Sequence, residues 1–187
     1  MTTTSEYTFI MNELTKIIPS YEDAKKQSQF LDDYIGYCCS SIENKLFLKN
    51  KSENQFKEKQ FWFGLDIQSL QTPYSELAQM VTYLNPMEND LWIDLGAAYG
   101  RMGIILGFLK PKVNFVGFEF IAERVNEGNR IYKHLNLKNC QLKEIDVATQ
   151  DFELEPAELY FVYDFGSKKD VIETLEKLRK ISLQKPI

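Results

Sequence analysis

Asp94 and Glu119 are the residues whose type and placing say most about chemistry. Asp94 closes the apolar run Leu91, Trp92, Ile93 and is followed by Gly96, Ala97, Ala98 and Gly100, a turn with almost no side-chain bulk. Such a turn lets a ligand lie directly against backbone amides. The apolar segment RMGIILGFL comes next, then a second apolar run, NFVGFE, which ends in Glu119. Apolar strand, small turn, apolar helix, apolar strand and carboxylate is the layout of a nucleoside-binding βαβ unit. Two further carboxylates close later runs: Asp146 in LKEIDVAT and Asp164 in LYFVYD.

Several chemistries fail on spacing. The dinucleotide fingerprint needs glycines two and five positions after the first, where this chain has Ala98 and Arg101, so NAD is disfavoured. No Gly-Lys-Ser/Thr triplet is present to reach a nucleotide's phosphates. Asp164-Phe165-Gly166 spells the kinase magnesium motif, but neither an HRD loop nor a glycine-rich nucleotide loop accompanies it. The Asp/Asn-Pro-Pro-Tyr motif of amino-methylating DNA enzymes and a Pro-Cys pair are also missing. A net charge of −5 argues against general affinity for nucleic acid, which depends on neutralising phosphates. What remains is a ligand with a ribose and no phosphates.

These residues resemble the class I S-adenosylmethionine (SAM) dependent methyltransferases, whose first motif is Asp/Glu-x-Gly-x-Gly-x-Gly. Asp94, Gly96 and Gly100 match it, and Ala98 replaces the middle glycine. An alanine there works against a positive φ. The resemblance spans about residues 72–181. It implies SAM as cofactor, Glu119 on the ribose hydroxyls, Asp146 near the adenine, and YFVYDFG beside the transferred methyl group. Asp164 and Tyr163 are then the expected catalytic residues, and Tyr163, Phe165 and Tyr74 line an aromatic channel suited to a cation such as lysine. TPYSELAQM is similar to the segment before the first strand in a protein lysine methyltransferase type, which adds Glu76 to the channel. The implied acceptor is an amine on a protein side chain or a small molecule.

The elements that must position these groups follow from periodicity. Residues 91–93, 114–119, about 140–145 and 159–164 read as strands, and 121–136 and 168–182 as helices. Gly103 and Gly107 fall on one side of the helix after the turn, where they permit close packing on the sheet. Thr72-Pro73 reads as the start of a helix carrying Leu77, Met80, Val81 and Leu84 on one stripe and ending at Pro86. Residues 1–70 form a helical N-terminal extension, with Phe9, Ile10, Leu14, Ile17 and Ile18, then Phe30, Leu31, Tyr34 and Ile35, at helical spacing. These aromatics are packing residues or, alternatively, part of a lid over the substrate pocket.

Residues 71–187 form the cofactor-binding domain. The expected fold is α/β: a Rossmann-like methyltransferase sheet that is incomplete at about four parallel strands, where the resembled class has seven. The edge of the last strand is left open, which points to a homodimer through it. A non-catalytic binding module that meets a partner at this edge is the alternative function.

The remaining residues predict little chemistry. Cys38, Cys39 and Cys140 are odd in number, and His134 is the only histidine, so neither a disulfide framework nor a metal site is expected. Lys45, Lys49, Lys51, Lys57 and Lys59, interleaved with Glu43, Glu53 and Glu58, read as a solvated helix face. Met1–Ser5 lacks a basic start and no long apolar run follows, so a cytoplasmic protein with no membrane partner is expected.

Overall fold

The computed structural model describes residues 4–53, 66–149, 152–163 and 166–183. Strands β1 (Leu91–Leu95), β2 (Asn114–Glu119), β3 (Cys140–Glu144) and β4 (Leu159–Val162) form one parallel sheet in the order β3-β2-β1-β4. Trp92, Ile93 and Leu95 of β1 and Phe115, Val116 and Phe118 of β2 are all buried. Both faces of the sheet are covered, so these strands need no polar alternation. The chain builds outward from β1 through β2 to β3, then returns to the other side of β1 with β4. That reversal puts a crevice at the carboxyl ends of β1 and β4, where ligands of open α/β sheets bind.

The helices are α1 (Thr4–Leu14), α2 (Tyr21–Tyr34), α3 (Cys39–Glu53), α4 (Ile67–Leu70), α5 (Tyr74–Leu84), α6 (Arg101–Leu109), α7 (Ala122–His134) and α8 (Lys168–Ser182). One face of the sheet carries a core that joins Ile10 and Leu14 of α1 and Leu31 of α2 to Val81 of α5, Ile105 of α6, Phe115 of β2 and Ile131 of α7. The other face buries Ile93, Leu95, Val116 and Phe118 with Val147 and Ala157, and Val171 of α8 packs against them. No described helix is long and apolar enough to cross a membrane.

Close packing of α6 on the sheet has a local cause. A Cβ on Gly103 would lie 2.2 Å from the Tyr132 hydroxyl and 2.7 Å from the Phe115 ring. Only hydrogen fits there.

Helix α5 begins one residue later than its sequence predicts. Pro73 is the cap residue and gives no side-chain cap bond. Instead the Tyr74 N–H donates to Ser28 Oγ of α2 at 3.0 Å, so a neighbouring helix satisfies a donor that the first turn leaves orphaned. The far end stops as expected, with Asn85 left-handed at φ +45° ahead of Pro86. Helix α8 opens with a capping box between Ser167 and Asp170, a motif whose loss costs about 1 kcal/mol.

Polar side chains fasten the N-terminal helices to the sheet layer. Asp32 of α2 and Gln68 of α4 both accept from the Arg101 guanidinium at the start of α6. Glu43 of α3 takes Arg124 of α7 in a two-point pair at 2.8 and 3.1 Å. This corrects the reading of Glu43 as part of a solvated face: it is only 5% exposed, and its partner is far away in sequence. Lys45, Lys49 and Lys51 are exposed as expected, while Lys57, Glu58 and Lys59 lie outside the described residues. His134 is half-exposed and within 3.8 Å of Glu6.

Candidate functional site

The turn after β1 is held by its own backbone. Gly96 and Ala97 both donate their N–H groups to the Phe118 carbonyl at 2.9 Å, and Gly100 donates to Ala97 at 2.8 Å. Gly96, Ala98 and Gly100 take positive φ values of +87°, +47° and +81°. The alanine that replaces a glycine therefore still adopts the left-handed conformation its side chain resists. Gly100 is fixed further by the Tyr132 hydroxyl, which donates to its carbonyl at 2.6 Å.

Glu119 lies against this turn. One carboxylate oxygen accepts the Ala98 N–H at 3.0 Å and the other accepts the Ile121 N–H at 2.9 Å. The residue is 7% exposed, and burial raises its pKa, while Arg124 and the backbone donors pull it back down. The Phe120 backbone N–H also acts on the carboxylate, and Arg124 lies 3.9 Å from it. Asp94 is 6% exposed. Burial, helped by the nearby Glu119 charge, pushes its pKa up to about 8.

A cleft of about 340 Å³ opens between the carboxyl ends of β2 and β3, lined by Phe120, Ile121, Ala122 and Glu123 on one side and Glu144, Ile145 and Asp146 on the other. Leu46 and Lys49 of α3 complete its wall. Apolar Ile121, Ile145 and Leu46 offer flat packing, and the carboxylates at the rim accept from amino or hydroxyl groups. The Asp146 carboxylate also accepts the Ala148 N–H at 3.0 Å, which steadies its loop.

The structure thus brings Asp94, Gly96, Ala98, Gly100 and Glu119 together at one crevice, with Asp146 on the adjoining cleft. Tyr74 is a correction. Its side chain is wholly buried, its hydroxyl donates to Asp32 at 2.9 Å, and the Arg101 guanidinium sits 4.9 Å from its ring, so it is a core residue and lines no channel. Its first-turn position and aromatic character suit either role, and only the partner at Asp32 decides. Glu76 is exposed on the surface of α5. Tyr163, just past β4, is 68% exposed and stacks on Phe161 with ring centroids 6.5 Å apart. Asp164 and Phe165 lie outside the described residues.

Sequence reasoning missed Phe120, Ile121, Glu144 and Ile145 as cleft residues, although their places at the carboxyl ends of β2 and β3 would have found them. It also missed the buried polar atoms of Gln71, Ser75 and Arg101. Both amide atoms of Gln71, Ser75 Oγ and Arg101 Nε have no hydrogen-bond partner within the described structure. Arg101 lies beside this segment, donating to the Gln71 and Thr72 carbonyls at 3.5 and 3.3 Å. Buried polar atoms of this kind call for a ligand or ordered water. Among the described residues no group of three or more His, Cys, Asp or Glu could hold a metal ion.

Known structures share the sheet and its helices. The precorrin-6Y C5,15-methyltransferase of Geobacter metallireducens superposes with a TM-score of 0.50 at 16% identity, over 60% of this chain and 61% of that one. The fold is the Rossmann-like methyltransferase fold. The C-terminal domain of the Rhodobacter capsulatus precorrin-6Y enzyme gives 0.47 at 18% identity, over 57% of each chain. PKMT2 of Rickettsia typhi, solved in complex with AdoHcy, gives 0.43 at 22% identity, over 51% of this chain and 20% of that one. The chain therefore spans less than two thirds of the length of each of these methyltransferases. No protein-family model matches it, and no curated protein does.

Proposed function

We propose that the protein binds SAM at the turn after β1 and transfers its methyl group to an amine on a protein side chain or a small molecule. The observation that carries this is Glu119, whose carboxylate is fixed by the Ala98 and Ile121 N–H groups between the turn and the cleft. A ribose needs such an acceptor for its paired hydroxyls, and the neighbouring cleft, apolar with acidic edges, suits a neutral purine. The unpartnered atoms of Gln71, Ser75 and Arg101 are of the kind an amino-acid ammonium and carboxylate satisfy, and the methionine end of SAM carries both.

When bound, SAM supplies an electrophilic methyl on a sulfonium. The chain's own part is to hold an acceptor nitrogen in line with that methyl, to exclude water and to take the amine proton. Strand pairing sets Val162 beside Leu95, so Tyr163 and Gly96 leave the sheet as neighbours. Tyr163 and Asp164 are in sequence where an acceptor would approach, and Asp164 is proposed to orient or deprotonate it.

Calorimetric titration with S-adenosylhomocysteine, followed by a radiolabelled methyl-transfer assay against amine acceptors, tests the reading. Binding together with label in an amine supports it. Tight NADH binding with no response to S-adenosylhomocysteine would overturn it.

The open edge of β4 favours a second role in association. Among the described residues no strand pairs with its outer side. All four β4 residues are only half-buried. A second copy meeting this edge is the partner proposed here.

A further inference from the structure

A ring of interactions connects the turn after β1 to helix α3. Ala98 donates its N–H to Glu119. Glu119 lies 3.9 Å from Arg124. Arg124 is held at two points by Glu43, and Glu43 also accepts the Tyr99 hydroxyl at 2.8 Å. Tyr99 is bonded directly to Ala98, which closes the ring. Every side chain around it is buried.

The same helix that supplies Glu43 supplies Leu46 and Lys49 to the cleft wall. One turn separates Glu43 from Leu46, so the two lie on one face of α3. The start of α3 is tied down independently: the Cys38 N–H donates to Glu127 at 2.6 Å, and the Tyr37 hydroxyl donates to the Tyr99 carbonyl at 2.8 Å. Arg124 thus stands between two carboxylates, Glu43 on the helix that supplies Leu46 and Lys49 to the cleft wall and Glu119 at the end of β2, next in the chain to Phe120 and Ile121 of that wall. A ligand hydroxyl that donates to Glu119 shares the carboxylate that Arg124 faces, and so acts on the Arg124–Glu43 pair.

We infer that Glu43 is a positioning residue for the nucleoside cleft, and that through Arg124 and Tyr99 it makes closure of α3 and occupation of the turn one coupled event. Glu43 touches no ligand atom in this account. It sets where Glu119 and the turn stand, and it holds Leu46 and Lys49 over the cleft. The inference rests on the cofactor reading above.

Hydrogen exchange of the whole chain, with and without saturating S-adenosylhomocysteine, tests it. In the wild type, exchange should slow both at residues 94–101 and across 39–51. Glu43→Gln should keep the slowing at 94–101, lose it across 39–51 and bind the ligand at least tenfold more weakly, and Glu43→Asp should restore part of both. Lys49→Ala should release the ligand severalfold faster from the folded protein, a readout that does not depend on the Glu43 variants folding. Ligand protection at 94–101 with no change across 39–51 in the wild type would overturn the coupling alone, as would unaltered release from Lys49→Ala. No protection or binding anywhere would overturn the cofactor reading and the coupling with it.

Discussion

Ala98 donates its N–H to Glu119 across 3.0 Å while holding a φ of +47°. The left-handed conformation costs an L-residue about 1–2 kcal/mol, and the contact with a buried carboxylate is what fixes it. Three terms act on Ala98→Gly: relief of that strain, loss of about 0.8 kcal/mol for the buried methyl, and about 0.5–1 kcal/mol of added unfolded-state entropy. They nearly cancel, so Ala98→Gly should unfold within about 1 kcal/mol of the wild type. Ala98→Val, with a branched side chain forced to positive φ, should lose more than about 2 kcal/mol. Chemical denaturation of the two variants checks this, and a neutral Val substitution would contradict it.

Glu119→Ala removes the acceptor from two backbone N–H groups and from the proposed ribose. Hydrogen bonds to a charged group are worth about 1.5–3 kcal/mol, so affinity for S-adenosylhomocysteine should fall by roughly ten- to a hundredfold. Calorimetry at constant pH measures it. Unchanged affinity would remove Glu119 from the ligand site.

Asp94 gives the fold a pH dependence. Its pKa rises from 3.8 to about 8 on folding, so between those values the folded state binds the proton that the unfolded chain has lost. Its contribution to stability is full below about pH 3.8 and is lost as pH rises through about 8. Urea midpoints of the wild type should therefore fall relative to those of Asp94→Asn as pH increases from 5 to 8.5. Parallel curves for the two proteins would show that Asp94 is ionised throughout.

Asp164→Asn should slow methyl transfer while leaving S-adenosylhomocysteine affinity nearly unchanged, because the proposed role is at the acceptor amine. Equal losses in binding and turnover would assign Asp164 to the cofactor instead.

The outer edge of β4 predicts self-association. Light scattering after size exclusion should give twice the chain mass, and Val162→Lys should return the monomer, since a lysine on an edge strand blocks strand pairing. A wild-type monomer at high concentration would reject the dimer.

Three of the strands were readable in the sequence because a parallel sheet covered on both faces demands apolar runs, and LWI at 91–93, FVGF at 115–118 and LYFV at 159–162 are such runs, while β3, CQLKE at the sheet edge, alternates buried Cys140 and Leu142 with polar residues. The turn was readable from Gly96 and Gly100, whose lack of bulk has few other uses between a strand and a helix. Tyr74 and Glu43 were misjudged for a shared reason: what decides each is a buried partner distant in sequence, Asp32 for one and Arg124 for the other. No local pattern distinguishes a glutamate on a wet helix from one facing an arginine 81 positions on. The positive φ of Ala98 was similarly hidden, since it arises from the surrounding bonds and not from the residue's own preference.

The strand order has a consequence for synthesis. β1 is central, yet β4, the strand that completes it, emerges last, and Asp32 leaves the ribosome 69 positions ahead of the Arg101 it must meet. Helices α2 and α3 precede α6 and α7 in the chain and carry buried acids, Asp32 and Glu43, whose arginine partners Arg101 and Arg124 are made only later. Distant pairings of this kind form slowly, and they leave the bare side of β1 open to chaperones or to neighbouring nascent chains until translation has passed Val162.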